Sequence, residues 1–178
     1  MALYLEKAIF VNRAPFENIE LNFKEKGINV LAAINGRGKT TILSHITDAF
    51  YELAKLAFTG EFAGKESKYY RVSSPLYNLD SSKSSFVYLR FRNYKTNIDY
   101  IDIRRNCTSE EYDAAINIEN KIPYNKLSSR LKSQSTLKYW HIENKEEDKL
   151  VLSLFNNNIL TYFPAYRYEK PSYLNDPY

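Results

Sequence analysis

The sequence predicts a mixed α/β domain, and three observations carry that expectation. An almost unbroken apolar run, "GINVLAAI" (27–34), leads into a glycine-containing loop. A long amphipathic helical pattern follows the loop at once. Further on, "SFVYLRFRN" (85–93) and "IDYIDIRRN" (98–106) alternate apolar and polar residues on either side of "YKT" (94–96). Continuous apolarity marks a strand buried on both faces, as in a parallel sheet. Strict alternation marks half-buried antiparallel strands.

In chain order, "LYLEKAIFV" (3–11) reads as a first strand and "ENIELNF" (17–23) as a second. "GINVLAAI" is the third, buried one. A helix is expected from about Thr40 to Phe58, with Ile42, Ile46, Ala49, Phe50, Leu53 and Ala57 sharing one face. His45, Asp48, Glu52 and Lys55 form a polar stripe on that helix and are expected in solvent. Residues 60–83 are polar and loop-like, and the hairpin follows. Residues 108–140 lack a clean period, so short helices and irregular chain are expected there. Asn144 with Glu147 resembles a helix cap ahead of an apolar stripe of Leu150, Val151, Leu154 and Phe155. "NILTYFPAYRY" (158–168) reads as a short buried strand that breaks at Pro164. Three sections result: a core over 1–60, a hairpin subdomain over about 84–106, and a closing helix and strand over about 145–163.

Totals set bounds on function. A chain of 178 residues suits one domain with a real core. A charged fraction of 26% beside 44% hydrophobic residues argues against wholesale disorder. A net charge of +4 permits contact with polyanions without demanding it. Cys107 is the only cysteine, which excludes an intrachain disulfide and a cysteine metal cluster. His45 and His141, the only histidines, are distant in sequence and suggest no histidine-based metal or catalytic site. There is no secretory signal pattern, and no apolar run nears the ~20 residues of a membrane span. A soluble, cytoplasmic protein is expected.

The loop carries the chemistry. A small residue, four of any kind, then Gly-Lys-Ser/Thr is the phosphate-binding P-loop pattern. Here Ala33 takes the first place, followed by Ile34, Asn35, Gly36, Arg37, Gly38, Lys39, Thr40 and Thr41. Gly36 and Gly38 let the backbone curl so that successive N–H groups converge on phosphate oxygens. Lys39 supplies a mobile cation for the β and γ phosphates, and Thr40 a hydroxyl for Mg²⁺. The helix that starts there aims its positive end at the same anion. The GTPase markers Asn-Lys-x-Asp and Asp-x-x-Gly are both missing. ATP is therefore the expected nucleotide.

"NGRGKTTIL" (35–43) resembles the loop of the ATP-binding cassette superfamily. "AIFVNRAPFENIELNF" (8–23) is similar to the opening of the SMC, RecF and OLD-type ATPases within the AAA-type families. The resemblance implies the N-terminal lobe of a P-loop NTPase, with the 84–106 hairpin as its antiparallel β-subdomain. It implies that Arg13 lies near the nucleotide. "YFPAYRYEKP" (162–171) resembles the segment near the Q-loop of such proteins, although no glutamine stands there. These families also need an apolar run ending in Asp-Glu and a Leu-Ser-Gly-Gly signature, and neither occurs in this chain. A C-terminal lobe absent from these residues is therefore expected to hold both. The resemblance further implies a second ATPase head (a homodimer or higher oligomer), DNA-directed work of a repair or anti-phage kind, and no membrane. A non-hydrolysing nucleotide-gated module and a P-loop kinase are the alternatives.

One more cluster stands out. Arg90, Arg92, Arg104 and Arg105 gather on the hairpin with Lys95, Tyr88, Tyr94 and Tyr100 nearby. Alternation puts Tyr88, Arg90 and Arg92 on one face and Val87, Leu89 and Phe91 on the other. Such a face could hold a nucleic-acid backbone, with Arg90, Arg92, Lys95 and Arg104 as contacts. The competing expectation is a solvated face whose arginines pair with Asp99 and Asp102.

Overall fold

The computed structural model describes residues 3–64, 78–93, 96–105, 107–131, 136–142 and 147–157. Five strands, β1 (Tyr4–Arg13), β2 (Phe16–Asn22), β3 (Ser85–Asn93), β4 (Thr96–Arg104) and β5 (Thr136–Ile142), form one sheet in the order β2-β1-β3-β4-β5. Every neighbouring pair is antiparallel. The helices are α1 (Lys39–Ala57), α2 (Ser109–Ala115), α3 (Tyr124–Leu131) and α4 (Glu147–Asn157).

The sheet is covered on both sides, and the period-two alternation of each strand feeds two cores. Ala8, Phe10, Val87, Leu89, Phe91, Ile98 and Tyr100 point toward α1 and α4, where they meet Ile42, Ala49, Leu53, Val151 and Leu154. Ile9, Phe86, Tyr88, Ile101 and Ile103 point the opposite way, onto Tyr112 of α2 and Leu127 and Leu131 of α3. Each large side chain buried this way is worth roughly 1.5–3 kcal/mol. Helix α2 starts in a reciprocal cap. Thr108 Oγ1 accepts from the Glu111 N–H, and the Glu111 carboxylate accepts from the Thr108 N–H.

Strands β1 and β2, the hairpin β3–β4, helix α1 and helix α4 lie where the sequence places them. Residues 158–168, expected to form a closing strand, and 144, the expected cap, lie outside the described residues. Strand β5 was not anticipated.

The parallel strand over 27–34 is corrected. Among the described residues the sheet is wholly antiparallel, and 28–34 adopt no regular structure. Ile28 is 92% exposed, Val30 77% and Ile34 70%. A strand exists only by pairing, and the chain has turned away from the sheet before it gets there. Lys24 N–H donates to Asn29 Oδ1, and Asn29 Nδ2 donates to the Lys24 carbonyl. That closed turn ends the path of β2.

His45 and Asp48 are also corrected, because both are almost wholly buried. They flank the apolar stripe of α1, and the sheet beneath them carries its own polar groups, Asp102, Arg104 and Lys138. The helix therefore beds a polar flank on a polar strip of sheet. Periodicity separates apolar from polar residues but does not say which polar ones meet water.

Candidate phosphate-binding site

Residues 33–38 form an exposed loop that turns into α1 without regular structure of its own. Gly36 has φ 79° and Gly38 φ 86°, the left-handed conformation that an L side chain resists. Gly38 is the N-cap of α1. It offers no side-chain cap, and the first turn has no acidic residue. The opening N–H groups of a nineteen-residue helix are thus left to an external acceptor at its positive end.

Gly38 is constrained from outside as well. A Cβ built there would lie 2.2 Å from Phe16 Cζ and 2.8 Å from Pro15 Cδ. The turn between β1 and β2 therefore rests directly on the back of the loop. Lys39 folds toward the loop's own backbone, with Nζ donating to the carbonyls of Ala33 and of Ile34, the latter at 3.1 Å. Its ammonium is thereby held against the loop's own backbone. Ala33, Asn35, Arg37 and Thr40 are exposed, and Thr41 is half-buried.

Arg13 lies inside the fold. It is fully buried, with Nε donating to His45 Nε2 at 2.9 Å and Nη1 donating to Asn78 Oδ1 at 3.1 Å. Its neighbour Asn12, at φ 51°, donates from Nδ2 to the carbonyls of Asp80, Lys83 and Ser84 and accepts from the Asp80 N–H. These two residues tie the β1–β2 turn to α1 and to the chain entering β3. Burial and the charge of Arg13 lower the His45 pKa to about 3, so the imidazole is neutral. His45, Phe16 and Asn78 were not among the sequence candidates. The Asn-Arg pair at the end of an apolar strand was the available signal, because Asn tolerates positive φ in turns.

The arginines of the hairpin are not brought together. Arg90 is buried beneath α2 and α3, on the sheet face carrying Tyr88 and Asp99. Its Nε and Nη2 both meet Asp99 at 2.8 Å, and it donates further to the carbonyls of Glu119 and Asn120. Arg104 lies on the opposite face, below α1, paired with Asp102 at 3.2 Å. Burial alone would raise the Asp102 pKa, but the charges of Arg104 and Lys138 hold it below the usual carboxylate range. Arg92 pairs with Glu6 at 3.0 Å and is part-exposed. Lys95 lies outside the described residues. Of the expected cationic face, Arg90 is covered because the chain after β4 returns across it as α2 and α3, Arg104 lies beneath α1, and Arg92 stays part-exposed.

Among the described residues no cluster of His, Cys, Asp or Glu could hold a metal ion, and no helix is long and apolar enough to cross a membrane. No curated protein and no solved structure matches the chain. A family model for an AAA domain, a domain found in SMC/RecF-like ATPases, matches residues 11–175. That span takes in the β1–β2 turn, the loop, α1 and every described strand except residues 4–10 of β1, and the chain belongs to the AAA domain family.

Proposed function

We propose that residues 33–41 bind ATP in a P-loop NTPase fold. The single observation that carries this is the start of α1. An uncapped helix N-terminus, free of acidic side chains in its first turn, opens from two left-handed glycines beside Lys39. Family membership, which suggests ATPase activity, supports the same reading. The N–H groups of the loop and of the first helical turn would cradle the β phosphate. The Lys39 ammonium would exchange its loop carbonyls for β and γ oxygens. Thr40, exposed in the first turn, would hold Mg²⁺, which supplies charge neutralisation at those oxygens. Arg13 would act from behind, by holding the turn that rests on Gly38, and not by touching the nucleotide.

In the whole protein we place hydrolysis on a C-terminal lobe and a second head, because phosphoryl transfer needs a group that positions the attacking water. No Asp-Glu pair stands in these 178 residues to serve. DNA-directed work follows from likeness to SMC and RecF proteins, and the buried Arg90 and Arg104 would take no direct part in it.

Titration with a fluorescent ATP analogue tests the loop. Lys39→Ala should weaken binding by about 2–4 kcal/mol, the loss of a charge-assisted contact in a partly desolvated site. Equal affinity of the two proteins would remove the assignment. A phosphate-release assay on residues 1–178 should show no turnover above the Lys39→Ala background.

A further inference from the structure

On the far edge of the sheet, α3 and β5 build a cationic and aromatic strip that the phosphate loop does not use. Tyr139 and His141 stand two residues apart on β5, with ring planes within 15° and centroids 6.4 Å apart. Helix α3 buries Leu127 and Leu131, which turns Lys126 and Arg130, four residues apart, outward above that edge. The Arg130 guanidinium carbon lies 4.4 Å from the Tyr139 ring centre, and Lys126 Nζ lies 3.4 Å from His141 Nε2. Beside them opens a cleft of about 220 Å³ lined in part by Lys121, Lys126, His141, Asn97 and Asn120.

Two acids near the cleft are already engaged. Asp99 borders the cleft, but its carboxylate accepts from Arg90 and from the Tyr88 hydroxyl. Asp113 pairs with Lys121 at 2.7 Å and is itself largely exposed. Lys126 and Arg130 bring two further exposed cationic side chains to this edge, along which an elongated anion can lie.

We propose that this strip binds single-stranded nucleic acid. Lys121 and Lys126 would meet phosphates at the cleft. The exposed Arg130 guanidinium, backed by the Tyr139 ring, would give an unpaired base a flat surface on which to stack. A duplex could use only the phosphate part, because its bases are already stacked on one another. The proposal adds a ligand and an address to the DNA-directed part of the function above, and it does not rest on the phosphate loop.

The test is fluorescence anisotropy with labelled oligothymidylate, a duplex of equal length, and unlabelled inorganic phosphate as competitor, across a range of salt. Lys126→Ala and Arg130→Ala, both exposed, should each weaken oligothymidylate binding at least about fivefold. Lys126→Ala should also flatten the salt slope by about 0.7, the counterion release of one single-strand phosphate contact, and Arg130→Ala, which removes a stacking surface, should flatten it less. Lys83→Ala, a remote exposed lysine, should change neither. Lys39→Ala should also leave this binding intact, so failure of the loop assignment and failure of the strip read out separately. Oligothymidylate binding untouched by both strip variants, or no binding at all, overturns the proposal. A duplex bound as tightly as the single strand, or displacement by millimolar phosphate alone, overturns it in favour of a general anion site.

Discussion

Arg13 Nε donates to the unprotonated Nε2 of His45, 2.9 Å away, in a region closed to solvent. A ring nitrogen that accepts from a guanidinium cannot also carry a proton, so the His45 proton sits on Nδ1. The relationship joins the end of β1 to the second turn of α1, the helix that begins at the phosphate loop. Its strength depends on His45 staying neutral.

That dependence fixes a sign. Burial first, and then the Arg13 charge, lower the His45 pKa in the folded protein to about 3, against about 6.5 when unfolded. Between those values the unfolded chain binds the extra proton, so stability is full above pH 6.5 and falls as pH drops toward 3. The contribution is about 1.4 kcal/mol per pH unit for one proton. Urea unfolding at pH 7.5, 6.5 and 5.5 should show it as a slope that His45→Gln, which keeps an acceptor near Arg13, removes. Parallel pH profiles for the two proteins would mean that His45 is not the group responsible.

Gly38 should not tolerate a methyl group. Its left-handed backbone costs about 1–2 kcal/mol for an L residue, and the new carbon would run into Phe16. Gly38→Ala is expected to lower stability by about 2 kcal/mol or more. Because Phe16 is part of the obstruction, adding Phe16→Ala should cost less than the two single changes combined. A double-mutant cycle in urea should return a coupling above about 0.5 kcal/mol. Simple additivity would put the strain in the backbone or against Pro15 and not against Phe16.

Arg90 and Arg92, two residues apart on β3, should behave very differently. Arg90→Ala strands Asp99 in the interior and releases the 119–120 turn, a loss expected to reach about 3 kcal/mol. Arg92→Ala opens a part-exposed pair with Glu6 and should cost about 1 kcal/mol or less. Denaturant midpoints measured side by side decide it. Equal small effects would mean that Arg90 is not held as described.

The cap of α2 offers a smaller, local test. Thr108→Ala removes the acceptor of the Glu111 N–H and should destabilise by about 1 kcal/mol. Thr108→Ser, which keeps the hydroxyl, should restore most of that in thermal unfolding. An alanine variant as stable as the parent would show that the cap is redundant.

What the sequence makes legible, and what it hides, follows from which interactions are local. The loop's pattern is readable because a P-loop sets fixed residue types at fixed spacing. The β3–β4 hairpin is readable because both strands alternate and a short turn joins them. The run over 27–34 announces strand propensity but cannot announce a partner, and without one it lies exposed. Arg90 and Arg104 look like neighbours on one hairpin, yet strand parity puts them on opposite sides of the sheet. "TLKYWHI" (136–142) alternates too, but Tyr and His against Lys and Trp give little polarity contrast, so β5 is easily passed over. The α2 cap went unread, although "TSEE" (108–111) is a Thr-x-x-Glu box.

The chain contains one tryptophan, and the fold places it where the phosphate loop's helix is seated. Trp140 Nε1 donates to the Ala49 carbonyl at 3.0 Å, with Tyr100 and Phe91 rings packed against the indole. Any sliding of α1 across the sheet would lengthen that bond and change the polarity around a single chromophore. Tyr100, its ring centre 5.1 Å from the indole, is an energy donor beside it, so the transfer between the two is a second optical readout of the same seat. The unlabelled protein thus carries its own spectroscopic gauge, at the junction where events at Lys39 would first be felt by β5.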